Sequence, residues 1–140
     1  MRHNHIAIWV TAVLQIAIGF GWYSPYTFLE PWAYGFGLDL AMMGDPDPMA
    51  FIVIIITSLL SCYVISWLIR RLSITGIGGG LLLGLALWLG VSVHALAPHY
   101  MFAQVGQSAL VIDLGNSFVV IVVTCLILSV WRKPDRTISA

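Results

Sequence analysis

Four long apolar runs, none of which contains Lys or Arg, constrain the fold of this chain more than any other feature. The runs cover residues 6–23, 51–69, 77–97 and 109–131. A helix needs about 20 apolar residues to cross the hydrocarbon core of a bilayer, and each run is close to that length. A membrane β-barrel would instead need many alternating strands of about ten residues. The sequence therefore predicts an all-α polytopic membrane protein with four transmembrane helices in an antiparallel bundle.

The composition agrees with a membrane protein and excludes several other classes. Hydrophobic residues make up 60% of the 140 residues, and charged residues make up 9%. Average soluble domains carry roughly a quarter charged residues, and a small soluble fold could not bury this much apolar surface. A cytosolic enzyme domain, a disordered segment and a nucleic-acid binder are therefore excluded. The lipid bilayer is the first expected partner.

The charged residues predict the orientation of the helices. All six cations fall before the first run, between the second and third, or after the fourth: Arg2, Arg70, Arg71, Arg132, Lys133 and Arg136. The long loop 24–50 on the other side carries four carboxylates and no Lys or Arg. Because cytoplasmic loops are enriched in Lys and Arg, we expect both termini in the cytoplasm. Residues 1–140 are expected to form a single multi-pass domain in the inner (plasma) membrane.

Proline and capping residues mark the ends of the predicted helices. Pro25 follows the first run and Pro98 follows the third, so we expect a helix to stop before each of them. Asp47 followed by Pro48 is typical of an N-cap and a first helical turn, and it predicts the start of the second helix. The loop before it is rich in aromatic residues, which favours a short helix in the headgroup zone.

Two short segments resemble a known family. One is GFGWYSPYTFLEPW, in which Trp22-Tyr23-Ser24-Pro25 is followed by Trp32, and the other is LVIDLGNSFV, which contains Asp113 and Gly115. Together they resemble the bacterial membrane family called domain of unknown function 1761. The resemblance implies four helices and a bacterial inner membrane, and it brings no established activity. The chain departs from the family in its longer, acidic loop. We expect the aromatic side chains Trp22, Tyr23 and Trp32 at the membrane interface.

His94 and Asp113 are ionisable residues inside predicted helices. Such groups cost several kcal/mol unless they are paired or face a wet cavity, so each is a candidate functional residue. Both lie about one turn from the outer end of their helices, and antiparallel neighbours would place them at similar depth. The functional interpretation is an outward-facing polar cavity in which they form a proton-linked or ligand-binding pair. Further candidates for this cavity are Asn116, Ser117 and Gln15.

The alternative interpretation of these polar residues is helix packing. Small and hydroxyl side chains join membrane helices with roughly 0.6 kcal/mol per hydrogen bond. The third run also begins with a ladder of glycines, Gly76, Gly80 and Gly84, that lets another backbone approach closely. The ladder packs either against a helix of the same chain or against a second copy, which would make the protein a homo-oligomer.

The sequence predicts neither a metal site nor a cofactor. His94 and His99 are five residues apart with Pro98 between them, which matches no structural zinc pattern. A haem or pigment bound by His94 is an alternative, because Gly90, one turn earlier, leaves room for a ring. The two cysteines, Cys62 and Cys125, fall inside predicted helices and are expected to be packing residues.

Three classes of function remain open. We favour a structural or interaction subunit that self-associates or joins a larger membrane complex, so that the partner is a second copy or another membrane protein. The alternative is a small transporter, channel-like unit or ligand-binding protein that uses the cavity around His94 and Asp113. A membrane enzyme is the third class, and it is disfavoured because the sequence shows no recognisable catalytic spacing.

Overall fold

A computed structural model describes residues 3–131, and in this range every regular element is a helix. The α-helices are α1 (His5–Trp22), α2 (Leu29–Gly35), α3 (Pro48–Arg71), α4 (Gly76–Leu87), α5 (His94–Phe102) and α6 (Gln107–Val130). A 3-10 turn, Leu40–Met42, lies between α2 and α3, and a π-helical segment, Trp88–Val93, joins α4 to α5. Six Lys and Arg residues were used to predict the orientation of the helices. Four of them lie outside the described residues: Arg2, Arg132, Lys133 and Arg136.

Four helical segments are long and apolar enough to cross a membrane. They are His5–Trp22, Pro48–Arg71, Gly76–Phe102 and Gln107–Val130. Large apolar side chains point outward along them, such as Leu82, which is 71% exposed, and Val111, which is 67% exposed. In water such a surface would be unfavourable, whereas in a bilayer it contacts lipid. The prediction of an all-helical fold with four spans is confirmed, and the architecture is that of a multi-pass membrane protein.

The start of α3 follows from local sequence. The Asp47 side chain accepts a hydrogen bond from the backbone N–H of Met49 at 2.8 Å, and Pro48 occupies the first turn. The first backbone N–H groups of a helix have no acceptor within the helix, and an aspartate cap accepts a hydrogen bond from one of them. Proline is favourable in the first turn because it has no N–H that would need an acceptor. The predicted N-cap is confirmed. The predicted short helix in the aromatic loop also exists, as α2.

The expectation that Pro98 ends the third helix is wrong. Pro98 lies inside α5, and the helical segment continues to Phe102. Proline interrupts a helix because it lacks an N–H for the carbonyl four residues earlier and crowds that carbonyl. Membrane helices tolerate this interruption when local π-helical adjustments accommodate the freed backbone groups. The π-helical segment Trp88–Val93 directly precedes α5 and is such an adjustment.

Helix α6 is the centre of the packing. It contacts α1, α2, α3 and α4, and α1 also packs along α3. The core where these helices meet contains the fully buried residues Ala7, Ile8, Cys62 and Cys125. Both cysteines are free thiols, as expected for packing residues. Close packing of these small side chains brings the helices near one another.

The glycine ladder packs against α6 of the same chain. A Cβ atom on Gly80 would lie 2.9 Å from the backbone oxygen of Cys125, and one on Gly84 would lie 3.0 Å from the Cα of Val122. Gly76 has a φ of +71°, and its carbonyl accepts a hydrogen bond from the Ser129 hydroxyl at 3.1 Å. Of the two interpretations of the ladder, the structure shows packing within the chain.

The two ends of the molecule differ in chemistry. At one end the Asn4 amide donates to the backbone oxygen of Trp131 at 3.2 Å, beside the ends of α3 and α6. We call this end, which holds His3, Arg71 and Trp131, the terminal face. The opposite end holds α2 and the loop that precedes α3, and we call it the loop face. The candidate site lies toward the loop face.

Candidate functional site

Asp113 is bound by two tyrosine hydroxyls. The Tyr23 hydroxyl, at the end of α1, donates to Oδ1 of Asp113 at 2.5 Å. The Tyr100 hydroxyl, from α5, donates to Oδ2. Each carboxylate oxygen therefore has one phenol donor, and the arrangement ties α1, α5 and α6 together near the loop face. Hydrogen bonds to a charged acceptor are about twice as strong as those between neutral groups.

The two sequence segments that carry the family resemblance meet at this point. The Trp22 indole N–H donates to the backbone oxygen of Ile112 at 3.0 Å. A Cβ atom on Gly115 would lie 3.0 Å from the Trp22 ring, so glycine leaves room for that ring. The Trp22-Tyr23 pair is thus held against α6 by two hydrogen bonds, one to Ile112 and one to Asp113. This contact fixes the position of the Tyr23 hydroxyl.

Helix α2 covers the tyrosines from the loop face. The Trp32 ring packs 5.5 Å from the Tyr23 ring, measured between centroids, and 4.9 Å from the Phe36 ring. The backbone N–H of Gly106 donates to the oxygen of Gly35 at 2.7 Å, where the lack of side chains allows α2 to approach the start of α6. The Trp32 indole nitrogen is buried and has no hydrogen-bond partner among the described residues.

A cavity of about 450 Å³ lies between α1, α3 and α6. Its lining combines apolar walls with a few polar side chains: Gln15, Gly19, Phe20, Tyr23, Pro46, Ile54, Ser58, Asn116 and Val120. Pro46 belongs to the loop before α3, so the cavity borders the loop face. Cavities of this size with a small number of polar groups are typical of small-molecule sites.

Gln15 forms the inner end of the cavity with two hydroxyl residues. Its side-chain amide donates to the Thr124 hydroxyl at 2.8 Å and to the Ser61 hydroxyl at 3.1 Å. Thr124 in turn donates to the backbone oxygen of Val120 at 2.7 Å. Gln15 is therefore both a packing residue, which joins α1 to α3 and α6, and a polar wall of the cavity.

Asn116 and Ser117 differ in how their polar atoms are satisfied. The Ser117 hydroxyl donates to the backbone oxygen of Leu114 at 2.9 Å, within its own helix. Asn116 lines the cavity beside the Tyr23 hydroxyl, and its Oδ1 is buried without a hydrogen-bond partner in the described part of the chain. An unsatisfied buried oxygen costs about 1–3 kcal/mol.

The structure does not bring His94 and Asp113 together. His94 is exposed on the outside of the helices, and no hydrogen bond joins it to another side chain within residues 3–131. Tyr100, six residues further along, occupies the position beside Asp113. Six residues correspond to about 9 Å along a helix. Haem binding at His94 stays an alternative, which an absorbance spectrum of the purified protein tests.

Two other histidines lie together at the terminal face. His3 Nδ1 is 3.0 Å from the Ser66 hydroxyl, and His5 Nδ1 is 3.1 Å from the Tyr63 hydroxyl. Burial, followed by the positive charge of Arg70 and the neighbouring His5, lowers the pKa of His3. Residues 3–131 contain no cluster of three or more His, Cys, Asp or Glu side chains placed to hold a metal ion.

Sequence reasoning does not identify Tyr100, nor the cavity-lining residues Phe20, Pro46, Ile54 and Val120. Tyr100 was assigned to a loop after Pro98, although a tyrosine near the loop end of a helix adjacent to Asp113 is a natural donor. Phe20 and Pro46 line the cavity, and no local signal distinguishes them from other apolar residues of α1 and the loop. Ser58 belongs to a polar stripe on α3 that is visible in the sequence.

Comparison with known proteins identifies the family. No curated protein and no solved structure matches the chain. A family model described as "Protein of unknown function (DUF1761)" matches residues 6–129. The match includes Trp22, Tyr23, Asp113 and Gly115, which carry the resemblance and contact one another through Trp22 and Tyr23. The chain belongs to the DUF1761 family of proteins of unknown function.

Proposed function

We propose that this protein binds an amphipathic small molecule in the cavity between α1, α3 and α6. The single observation that carries the proposal is the cavity itself, which combines a volume of about 450 Å³ with apolar walls and few polar groups. An apolar body would pack against Phe20, Ile54 and Val120. A polar group would lie beside the Tyr23 and Asn116 side chains, which line the same cavity. Binding sites of this kind fix orientation with the polar groups and gain affinity from the apolar walls.

The inner end of the cavity favours binding over conduction. Beyond Gln15, toward the terminal face, the helices close on Ile8, Thr11 and Cys62, each with 0% exposure. A channel would need a polar path through this layer. The proposal is therefore a ligand-binding protein with a one-sided cavity, and a transport cycle would require these packed helices to move apart.

The proposed setting is the bacterial inner membrane, with both termini in the cytoplasm and the loop face outside. An antiparallel bundle is supported by the hydrogen bonds that join the start of α1 to α3 and to Trp131. Arg70 and Arg71 end α3 at the terminal face, whereas Asp45 and Asp47 belong to the loop face. This separation of charge follows the positive-inside rule. A ligand would reach the cavity from the outer leaflet or the outer aqueous side.

Filling the cavity is expected to weaken ligand binding by about tenfold. Gly19 lines the cavity, and a Cβ atom there would meet no atom within 4 Å, so Gly19→Leu places a side chain in the space without a clash at its Cβ. Displacing two buried methylene groups of a ligand, at about 0.8 kcal/mol each, weakens binding by about tenfold. The measurement is the fluorescence titration of the purified protein in detergent with N-phenyl-1-naphthylamine, a neutral apolar probe.

Gly21→Leu is the matched control. Gly21 lies on the same helix with no atom within 4 Å of its Cβ position, and it does not line the cavity. It should bind the probe with the affinity of the original protein. Equal affinities of both leucine variants and the original protein would contradict the proposal, because the probe would then bind elsewhere or partition into the micelle.

A second candidate function is that of a self-associating subunit. His94 is exposed within a helical segment of membrane-spanning character, and Gly90, one turn earlier, has no atom within 4 Å of its Cβ position. A polar side chain that faces lipid is unfavourable, so His94 favours contact with a partner helix. Because Gly80 and Gly84 are occupied by α6, a second copy would use the face around Gly90 and His94 instead.

A bulky residue at Gly90 is expected to reduce self-association. Gly90→Leu prevents close approach of a second helix on this face, and the fraction of dimer, measured by light scattering after size-exclusion chromatography in detergent, should fall. Gly78→Leu is the control. The Cβ position of Gly78 also has no atom within 4 Å, but Gly78 lies 12 residues before Gly90, or about 18 Å away along the helical segment. A purely monomeric protein, or an equal dimer fraction in both variants, would exclude this interface.

A further inference from the structure

We infer that the molecule bound in the cavity is a lipophilic cation, meaning an apolar body that carries an ammonium group or another permanent positive charge. This inference rests on the function proposed above and names the class of ligand. It is carried by the hydrogen-bonding state of Tyr23, the position of two carboxylates at the rim of the cavity, and the distribution of positive charge in the described residues.

Tyr23 connects the cavity to a negative charge. Its side chain lines the cavity, and its hydroxyl proton is donated to Asp113. The phenol oxygen can therefore only accept hydrogen bonds from other groups. Asn116 lies beside it with an unpaired oxygen. The Asp113 carboxylate therefore lies one hydrogen bond behind this wall of the cavity.

The rim of the cavity is also negative. Pro46 borders the cavity and stands between Asp45 and Asp47. Asp47 caps α3 through the N–H of Met49, which fixes its position, and Asp45 is exposed. A cation that approaches the cavity therefore passes carboxylates before it reaches Tyr23. Charges that line a cleft of low dielectric constant raise the local concentration of the oppositely charged ligand.

No lysine or arginine of the described chain offsets these charges. Residues 3–131 contain only Arg70 and Arg71, which end α3 at the terminal face. Arg70 lies 23 residues after Asp47, or about 34 Å along the helix. The cavity is therefore selective against anions. A histidine, His99, also lies near the loop face, with its ring 6.0 Å from that of Tyr100.

The apolar walls complete the complementarity. The Phe20 and Tyr23 rings border the cavity from α1, and Ile54 and Val120 face them from α3 and α6. Aromatic faces attract cations through the ring quadrupole, most strongly when the cation is desolvated. A hydrophilic cation would gain little from these walls, whereas a lipophilic cation gains from both the charge and the apolar surface.

The test compares two ions of the same shape and opposite charge. Tetraphenylphosphonium and tetraphenylborate are titrated calorimetrically into the purified full-length protein in neutral detergent at pH 8, with protein-free micelles as the blank. The cation should bind more tightly than the anion by about tenfold or more. The reason is that only the Tyr23 side chain separates the Asp113 carboxylate from the cavity, and the effective dielectric constant between them is about 20. Asp113→Asn keeps an acceptor for the tyrosines and should weaken binding of the cation by about tenfold.

Two further variants keep the test independent of folding effects at Asp113. Asp45→Asn changes an exposed rim carboxylate and should weaken binding of the cation by about twofold, an effect that salt removes. Glu30→Gln changes an exposed carboxylate of α2 that does not line the cavity, and it should leave binding unchanged.

Each contrary outcome identifies what has failed. Equal or tighter binding of tetraphenylborate, with weaker binding of both ions to Gly19→Leu, overturns the inference about charge and leaves the cavity as the binding site. Tetraphenylphosphonium binding that Asp113→Asn and Asp45→Asn leave unchanged also overturns it. Binding of neither ion, together with no binding of the neutral naphthylamine probe, overturns the proposed function as well.

Discussion

Replacing Asp113 with alanine is expected to lower the free energy of unfolding by about 3 kcal/mol. The change removes the acceptor of two hydroxyl groups, those of Tyr23 and Tyr100, and leaves both donors unpaired. Hydrogen bonds to charged groups contribute about 1.5–3 kcal/mol each, and the loss falls toward the lower end because Asp113 is only half-buried. The loss of these two hydrogen bonds also weakens the contact of α1 and α5 with α6 near the loop face.

The measurement for Asp113→Ala is unfolding with sodium dodecyl sulfate in mixed micelles, followed by tryptophan fluorescence. Glu30→Ala provides the control, because Glu30 is an exposed carboxylate with no hydrogen bond to another described side chain, and it should change the unfolding free energy little. A variant of Asp113 as stable as the Glu30 variant would show that the two tyrosine hydrogen bonds do not hold the helices together.

A leucine at Gly80 is expected to destabilise the fold by about 3 kcal/mol, through overpacking at a helix interface. A Cβ atom at Gly80 would lie 2.9 Å from the backbone oxygen of Cys125 and closer still to the Ser129 hydroxyl. Because Cys125 contributes backbone rather than a flexible side chain, relief requires α4 to move away from α6. Such a movement also breaks the hydrogen bond from Ser129 to Gly76.

Gly78→Leu separates this effect from helix propensity. Gly78 lies in the same helix, and no atom lies within 4 Å of its Cβ position. Leucine is a better helix former than glycine by somewhat less than about 1 kcal/mol, so this variant should be as stable as the original protein or slightly more stable. The two variants are compared by the same detergent unfolding. If they unfold alike, the close packing of α4 on α6 is not what stabilises this pair.

Local sequence signals predicted the helices well because membrane helices are defined by local properties. Hydropathy over about 20 residues identified the four spans, and the Asp47-Pro48 pair marked the start of α3. The short helix α2 followed from the aromatic loop. The glycine ladder was recognised as a packing surface, although the sequence left its partner open between α6 and a second copy.

The separation of His94 from Asp113 could not be predicted, because it depends on helical phase and depth across Trp88–Val93. In this π-helical segment each turn takes up an extra residue, so side chains after it are rotated relative to a regular helix. The helix also continues past Pro98 to Phe102, which moves His94 deeper than expected and places Tyr100 beside Asp113.

The shape of the cavity could not be predicted from the sequence. Of the five candidate residues, Gln15 and Asn116 line it, whereas His94, Asp113 and Ser117 do not. Its apolar walls and its border at Pro46 depend on how α1, α3 and α6 diverge toward the loop face, and no local pattern encodes that divergence. Asp113 was predicted as a buried carboxylate, and its tyrosine partners come from two other helical segments.

The most direct measurement is an experimental structure of the protein bound to tetraphenylarsonium, a lipophilic cation whose arsenic atom gives an anomalous diffraction signal. We expect one strong anomalous peak in the cavity bounded by Phe20, Tyr23 and Asn116, and a weaker peak in Gly19→Leu at the same concentration of the cation. A peak at the surface around His94, or an empty cavity at a concentration of the cation that saturates binding, would contradict this expectation.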